Sequence, residues 1–535
     1  MEICYILDKQ RVKIQQQTAV QLEETKKVSV VAPAVRYEWS KKCVDAIHLT
    51  DPENKFLNND ILSTILKPLT AEARILQPPL IVYGNDGKVP ENCGLVKGRR
   101  EFMVPAALSK WAVYMLAEKR SPALEEDLRT FIQRLVRTAN SFDMKVSLPM
   151  NEEIIPSDKF VLEEVVRVAK NNGCTFIFFI QANTSYLHDA IKLFERKYEI
   201  ITQDMKYSTF NDIVWKNKRA LLTNLVSKLN VKLGGINYSI VIPEERYRHI
   251  LNDKRLIIGF AMIYPDILES GETTKSSTSF PFVAGCSSNA KGFPYEFIGD
   301  FGFQDARQTD KVSLFYIFIK RITKRFLESR RSPPLEVLIY CSGISEGRYD
   351  LILNYEMPVI RKALIDGGCN NTVKVTFIVV NRKHNIRLIP KELDPSANIV
   401  EQNCKSGTVF DKHIVHPRFN EFYLNSHKTI QGTARVPCYT VVVDDSGYSL
   451  DELELATYSL CHCHQIANLC TSIPSPLFIA MRYAERGYHV LMKYNLDVCS
   501  GSSLNVKSKD PLDLQNANKI LPYYGSLLGE KRINA

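Results

Sequence analysis

Short runs of β-branched and aromatic residues recur along this chain, separated by stretches of helical length. That alternation constrains the fold more than any other property of the sequence. Phe176 to Ile180 and Val375 to Val380 fall far short of the ~20 apolar residues of a membrane span and read as buried strands. Leu256 to Tyr264, Glu336 to Tyr340 and Tyr439 to Val443 are further strand candidates. Between them, Ser185 to Arg196, Ala220 to Lys232, Phe315 to Ser329, Tyr349 to Leu364 and Asp451 to Asn468 read as helices, the second stopped by Gly234-Gly235. Strands interleaved with helices indicate open α/β sheets. From about 109 to 238 the pattern is that of a small α/β domain with ligand groups at strand and helix ends. Before it, strand-like and helical pieces mix around the Pro-rich segment Arg74 to Gly84.

At 535 residues the chain exceeds one hydrophobic core, so about two to four domains are expected. Lys plus Arg is 69 against 59 acidic residues, a net charge of +10, which permits an anionic partner without demanding one. The 13 cysteines include no C-x-x-C pair, so a zinc ribbon or thioredoxin motif is not expected. Their odd number and the lack of a secretory leader point to a reducing compartment, cytosolic or nuclear. The sequons at Asn183, Asn237 and Asn370 are then not glycosylation sites. No membrane association, metal or cofactor is implied.

Lys228 and Lys232 stand one helical turn apart ahead of Gly234-Gly235, and side chains at i and i+4 share a helix face. Two such charges suit a phosphate-rich ligand, although many helical lysine pairs are simply solvated. The string from Lys228 to Gly235, K-x-N-V-K-L-G-G, resembles the 5′-phosphate pocket of Argonaute proteins. Further strings resemble the same family in the same order. They are Arg74 to Gly84, Cys341 to Gly347, Thr376 to His384, Gly407 to Asp411 with His416-Pro417, Phe422 to Thr433, Asp444-Asp445, and Ser472 to Pro476. The details are similar to the divergent, nematode-type branch.

The resemblance implies an α/β architecture with three parts. Residues 1–108 would hold the end of a PAZ domain and the second linker, a mixed α/β region. Residues 109–238 would form a Rossmann-like MID domain, and 239–535 an RNase H-like PIWI domain. An N-terminal domain and most of PAZ would be missing. In the family's pocket an aromatic-type residue, a lysine four positions later, a glutamine and two further lysines grip the guide's 5′ phosphate. Lys192, Gln203, Lys228 and Lys232 match. The first position departs, because His188 stands four residues before Lys192 while Tyr186 stands six before it. His188 is the expected occupant, able to stack on a base or donate to phosphate; a polar helix surface is the plain alternative. Arg486 matches the arginine by which the PIWI domain completes the pocket, with a bidentate geometry that lysine lacks.

RNase H-like nucleases hold two metal ions on carboxylates. Here Ala261, Ser342 and Met481 fall at three of the four family positions and Asp310 alone keeps a carboxylate. Asp266, beyond Pro265, cannot simply replace Ala261. Alanine and methionine offer no side-chain oxygen, and a hydroxyl is a poor substitute around Mg²⁺. The implied function is RNA-guided silencing without cleavage, with a small guide RNA, a target RNA and silencing effector proteins as partners. An RNA-free interaction or decoy module and a residual RNA endonuclease are the alternatives. Cys461-His462-Cys463-His464 reads as helix packing rather than a metal site, because alternate residues on a helix point apart. Lys320, Arg321, Lys324, Arg325, Arg330 and Arg331 read as a solvated helix face, with nucleic acid or a nuclear signal as the other reading. Asp451 is expected to cap the helix that follows it.

Overall fold

The computed structural model describes residues 18–47, 68–84, 88–90, 101–118, 121–181, 187–263, 281–305, 313–467, 469–501 and 513–533. Two sheets carry the architecture. The first is a four-stranded, wholly parallel sheet of β1 (Trp111–Leu116), β2 (Asn151–Ile155), β3 (Phe176–Gln181) and β4 (Ile201–Lys206), in the order β2-β1-β3-β4. β3 is buried along its whole length, as a central parallel strand covered on both faces must be. Alternate residues sort the helices. Phe176, Phe178 and Ile180 pack with α1 (Pro122–Ser141), α4 (Tyr207–Val214) and α5 (Arg219–Lys232). Ile177 and Phe179 face α2 (Lys159–Asn171) and α3 (Leu187–Tyr198).

The second sheet has nine strands. β5 (Arg255–Ile263), β6 (Phe282–Ser288) and β7 (Ile298–Gln304) form an antiparallel meander. β5 then runs parallel to β8 (Glu336–Ser342), and β8 to β9 (Lys374–Asn381). Beyond β9 lie β12 (Cys438–Asp444), β11 (Asn420–Asn425) and β10 (Thr408–Phe410), all antiparallel to their neighbours, with Arg74–Ile75 pairing at the far edge. The order β7-β6-β5-β8-β9 is an RNase H-like core. Leu256, Ile258 and Phe260 pack under α6 (Ser313–Arg330) and α7 (Met357–Asp366). Ile257 and Ala261 turn to the other face, under α8 (Leu450–Cys461) and α9 (Ser475–Gly501).

Glycine fixes how closely α9 approaches. A Cβ at Gly259 would overlap the Pro476 carbonyl, and one at Gly285 would overlap the backbone of Ala480 and Ala484. With those two side chains absent, α9 lies almost in contact with the strand backbone of β5 and β6. Arg482 and Arg486 stand one turn apart along this helix, near the first sheet.

Several expectations need correction. The helix expected over 451–468 ends at Cys461, where Thr471 bonds the Cys461 carbonyl through both its N–H and its hydroxyl. Ser449, not Asp451, is its N-cap, in a capping box with Glu452. Asp451 instead pairs with Arg74, which also meets Asp411 and Glu454. The basic residues of α6 are not simply solvated. Arg325 bonds the Gly529 carbonyl and Glu530, Arg321 lies over the Tyr524 ring, and Arg330 donates to the carbonyls of Asn289 and Lys291. Those five partners are loop or C-terminal groups distant in sequence, which periodicity could not supply. No helix among the described residues is long and apolar enough to cross a membrane.

Candidate nucleic-acid interface

Part of the K-x-N-V-K-L-G-G string is structural. The Asn230 side chain is fully buried; it accepts from Ala106 N–H (2.7 Å) and donates to the Val104 carbonyl (3.2 Å) and Asn237 Oδ1 (2.7 Å). A Cβ at Gly235 would strike that amide, and Gly234 at φ +99° takes the left-handed turn that ends α5. Asparagine and the glycine pair therefore lock the end of α5, and the turn aims its lysines at the edge strand β4.

α3, α5 and α9 enclose a cleft of about 470 Å³ lined by His188, Lys192, Lys228 and Arg486, together with Arg482 and His464. Lys192 is buried on α3, its ammonium 3.0 Å from both Thr202 Oγ1 and Asp204 Oδ1 and 3.8 Å from Glu195. Lys232 is also buried and donates to the Thr202 carbonyl at 2.9 Å. Burial, then the Lys192 charge, push its pKa well below the ordinary lysine value, against the pull of Glu195. Lys228 is half-buried and forms neither a hydrogen bond nor an ion pair among the described residues. Burial lowers its pKa, although Asp204 opposes the shift. From α9, Arg486 Nη1 reaches Glu195 Oε1 at 2.6 Å and the Tyr523 hydroxyl at 3.4 Å.

Two carboxylates that sequence reasoning passed over organise this cluster. Glu195 is fully buried; burial would raise it, but Lys192, Arg486 and Lys232 outweigh that and hold it below its ordinary value. Asp204 accepts from Lys192, from His188 at 2.6 Å and from Gln181 at 2.9 Å. Burial is again the largest influence, and the Lys192 charge with the His188 bond overrides it, leaving the carboxyl well below its usual range. Signals for both were present: Glu195 follows Lys192 at i+3, and Asp204 follows Gln203 directly. Gln203 itself does not line the cleft. It alternates with Ile201 and Met205 toward the face of α1, α4 and α5, its Nε2 bonded to the Asp204 carbonyl at 2.7 Å and its Oε1 buried without a partner. Tyr186 lies outside the described residues.

At the mouth, Arg482 pairs with Glu485 at 2.7 Å and lies over the Phe478 ring, against which His464 also packs. Burial, then Lys228 and Arg482, push His464 down to about 4. Counting Lys192, Lys228, Lys232, Arg482 and Arg486 against Glu195, Asp204 and Glu485, the cleft has a positive excess of two, chemistry suited to an anion.

The other predicted positions lie on the second sheet. Ala261 is buried on β5 and pairs in register with Ser342 on β8. Met481 packs against the apolar cluster that contains Ala261. Asp310 and Asp266 lie outside the described residues. A two-metal centre does not fit the described positions: they offer two apolar side chains and one hydroxyl. No group of three His, Cys, Asp or Glu among the described residues could hold a metal ion.

The Piwi domain model matches residues 175–492, and the chain belongs to the Argonaute family, of nematode type. It is similar to Argonaute protein wago-1 of Caenorhabditis elegans, 31% identical over 537 residues, which cover 100% of this chain and 55% of the relative. It is also similar to Argonaute protein wago-4 of the same organism, 30% identical over 100% of this chain and 56% of the relative. The chain thus spans about half the length of the curated relatives it matches. Among solved structures, Kluyveromyces polysporus Argonaute with a guide RNA superposes with a TM-score of 0.80 at 16% identity, over 99% of this chain and 60% of that one. Drosophila Piwi gives 0.69 at 18% identity, over 87% and 61%.

Proposed function

We propose that this chain holds a short guide RNA by its 5′ phosphate in the cleft between α3, α5 and α9, presents it to a target RNA, and silences without cutting. The carrying observation is Lys228, a half-buried ammonium with no hydrogen bond or ion pair among the described residues, in a cleft that Arg486 also lines. A terminal phosphate supplies the missing negative charge through charge-assisted bonds. His188, Lys192 and Lys232 support the same reading, Lys232 from behind the cleft wall. Gln203 would act through the backbone of β4 rather than by contact. Family membership and the likeness to an Argonaute bound to a guide RNA support guide and target RNA as partners. Silencing effector proteins would complete the process, within a MID unit at 109–238 and a PIWI unit at 239–535.

Absence of cleavage follows from Ala261, Ser342 and Met481, which supply no carboxylate where an RNase H-like nuclease needs them. One observation favours an RNA-free module instead: Glu195 and Asp204 already neutralise two of the cations. Recovery of bound RNA from the native chain and from Lys228→Glu decides between the two. Short 5′-phosphorylated RNA on the native protein, lost from the variant, supports guide anchoring. Equal RNA on both proteins, or none on either, overturns it.

A further inference from the structure

An anion-binding cleft has no evident need of a carboxylate against its lining cations, yet half-buried Asp204 sits there with three donors on its oxygens. Oδ1 accepts from Lys192 at 3.0 Å, and Oδ2 accepts from His188 at 2.6 Å and Gln181 at 2.9 Å. Thus two of the cleft-lining groups that would grip a phosphate already grip a side chain of the protein. The arrangement follows from β4 being an edge strand. Thr202 and Asp204 alternate to the face covered by α3, so the carboxylate projects between Lys192 and His188, one helical turn apart on that helix. Glu195 differs in kind, because it is fully enclosed and ties α3 to Arg486 on α9.

We propose that Asp204 is the internal counter-anion of the cleft. Without RNA it holds Lys192 and His188 in bonding geometry, and with RNA its fixed negative charge opposes the terminal phosphate and so sets how strongly that group is retained. The proposal rests on reading the cleft as the 5′-phosphate site. A phosphate bonded to Lys192 would stand roughly 6 Å from Asp204, where like charges at an effective dielectric of about 20 weaken binding by one to two powers of ten. The two demands on Asp204 therefore pull in opposite directions: orientation favours binding and repulsion limits it.

Asparagine separates them. Asp204→Asn keeps the shape and one acceptor for Lys192, which retains Thr202 Oγ1 as well. The new amide N–H₂ needs an acceptor, and Gln181 can supply it, because its Oε1 is buried without a partner and the amide can turn over. Orientation survives and repulsion goes.

The test measures binding of one short single-stranded RNA, carrying either a 5′ phosphate or a 5′ hydroxyl, to the native chain, Asp204→Asn and Asp204→Glu at fixed salt. The expected result is about tenfold tighter binding of the phosphorylated RNA by Asp204→Asn, with the hydroxyl RNA unchanged and Asp204→Glu close to native. A purely structural role would shift both RNAs together. Should Asp204→Asn fail to fold, Asp204→Ser, which also removes the charge, must show the same selective gain. A native protein that prefers the phosphate, with neutral variants that bind it no more tightly, overturns the role of Asp204 alone. A native protein that binds both RNAs alike overturns the anchoring reading and this inference with it.

Discussion

Glutamine in place of Glu195 would expose what ties α3 to α9. In the native protein Oε1 accepts from Arg486 at 2.6 Å, Oε2 accepts from the Thr202 N–H at 2.9 Å, and Lys192 stands 3.8 Å away. Glutamine preserves the shape but removes the charge, so Arg486 and Lys192 each lose a buried counter-ion. At an effective dielectric of about 20, a charge pair about 4 Å apart is worth about 4 kcal/mol. Desolvation of the carboxylate opposes that gain, yet removing one partner of a buried pair still costs about 3–5 kcal/mol, because the surviving charge is left uncompensated. The measurement is the urea midpoint of Glu195→Gln against native at neutral pH, without RNA. Burial would raise Glu195, but the neighbouring cations hold it below 4.5 when folded. Its contribution is therefore present above that value and lost as pH falls through the folded pKa, so the gap between the two proteins narrows in acid. Adding a 5′-phosphorylated RNA restores part of the lost stability, because the phosphate replaces the missing negative charge. Midpoints that coincide at neutral pH would refute the claim that this carboxylate joins the two units.

Three further outcomes are expected. His464, pushed down to about 4 from 6.5 when folded, is held neutral, so the fold loses up to about 3 kcal/mol as pH drops from 6.5 toward 4. Urea midpoints across that range would show the loss, and His464→Gln should flatten it. Gly285→Ala forces α9 away from β6, since the new methyl meets the backbone of Ala480 and Ala484. It should destabilise by about 1–3 kcal/mol or more, and a melting temperature equal to native would sink the close-packing argument. The native chain loaded with a guide should leave a matched RNA target intact in Mg²⁺. A cut opposite the guide's centre, seen on a denaturing gel, would show that carboxylates elsewhere, rather than the side chains at 261, 342 and 481, complete a metal site.

Much of the fold was legible because its signals are local. Phe176 to Ile180 and Val375 to Val380 declared themselves as buried strands by their β-branched and aromatic runs, and Gly234-Gly235 marked the end of α5 as turn chemistry requires. Helix ends read less well. The helix after Ser449 stops at Cys461 because Thr471 bonds its last carbonyl, and that bond depends on a chain reversal without a periodic signature. Lys228, Lys192 and Arg486 were picked out by family resemblance, with helix spacing adding only that Lys228 and Lys232 share a face, and all three line one cleft.

What the amino-acid order by itself determined was the alternation that builds two open sheets, and the family strings that mark where cations belong. Only tertiary structure decided how those cations are used. Strand parity turns Gln203 toward the core and Asp204 toward Lys192, and a one-residue difference along β4 reverses which face a side chain occupies. Burial makes Glu195 a joint between α3 and α9, where the low dielectric leaves a carboxylate tenable only beside Arg486 and Lys192. The Glu195–Arg486 pairing joins residues 291 positions apart, and its energy depends on exclusion of water, which no single stretch of sequence encodes.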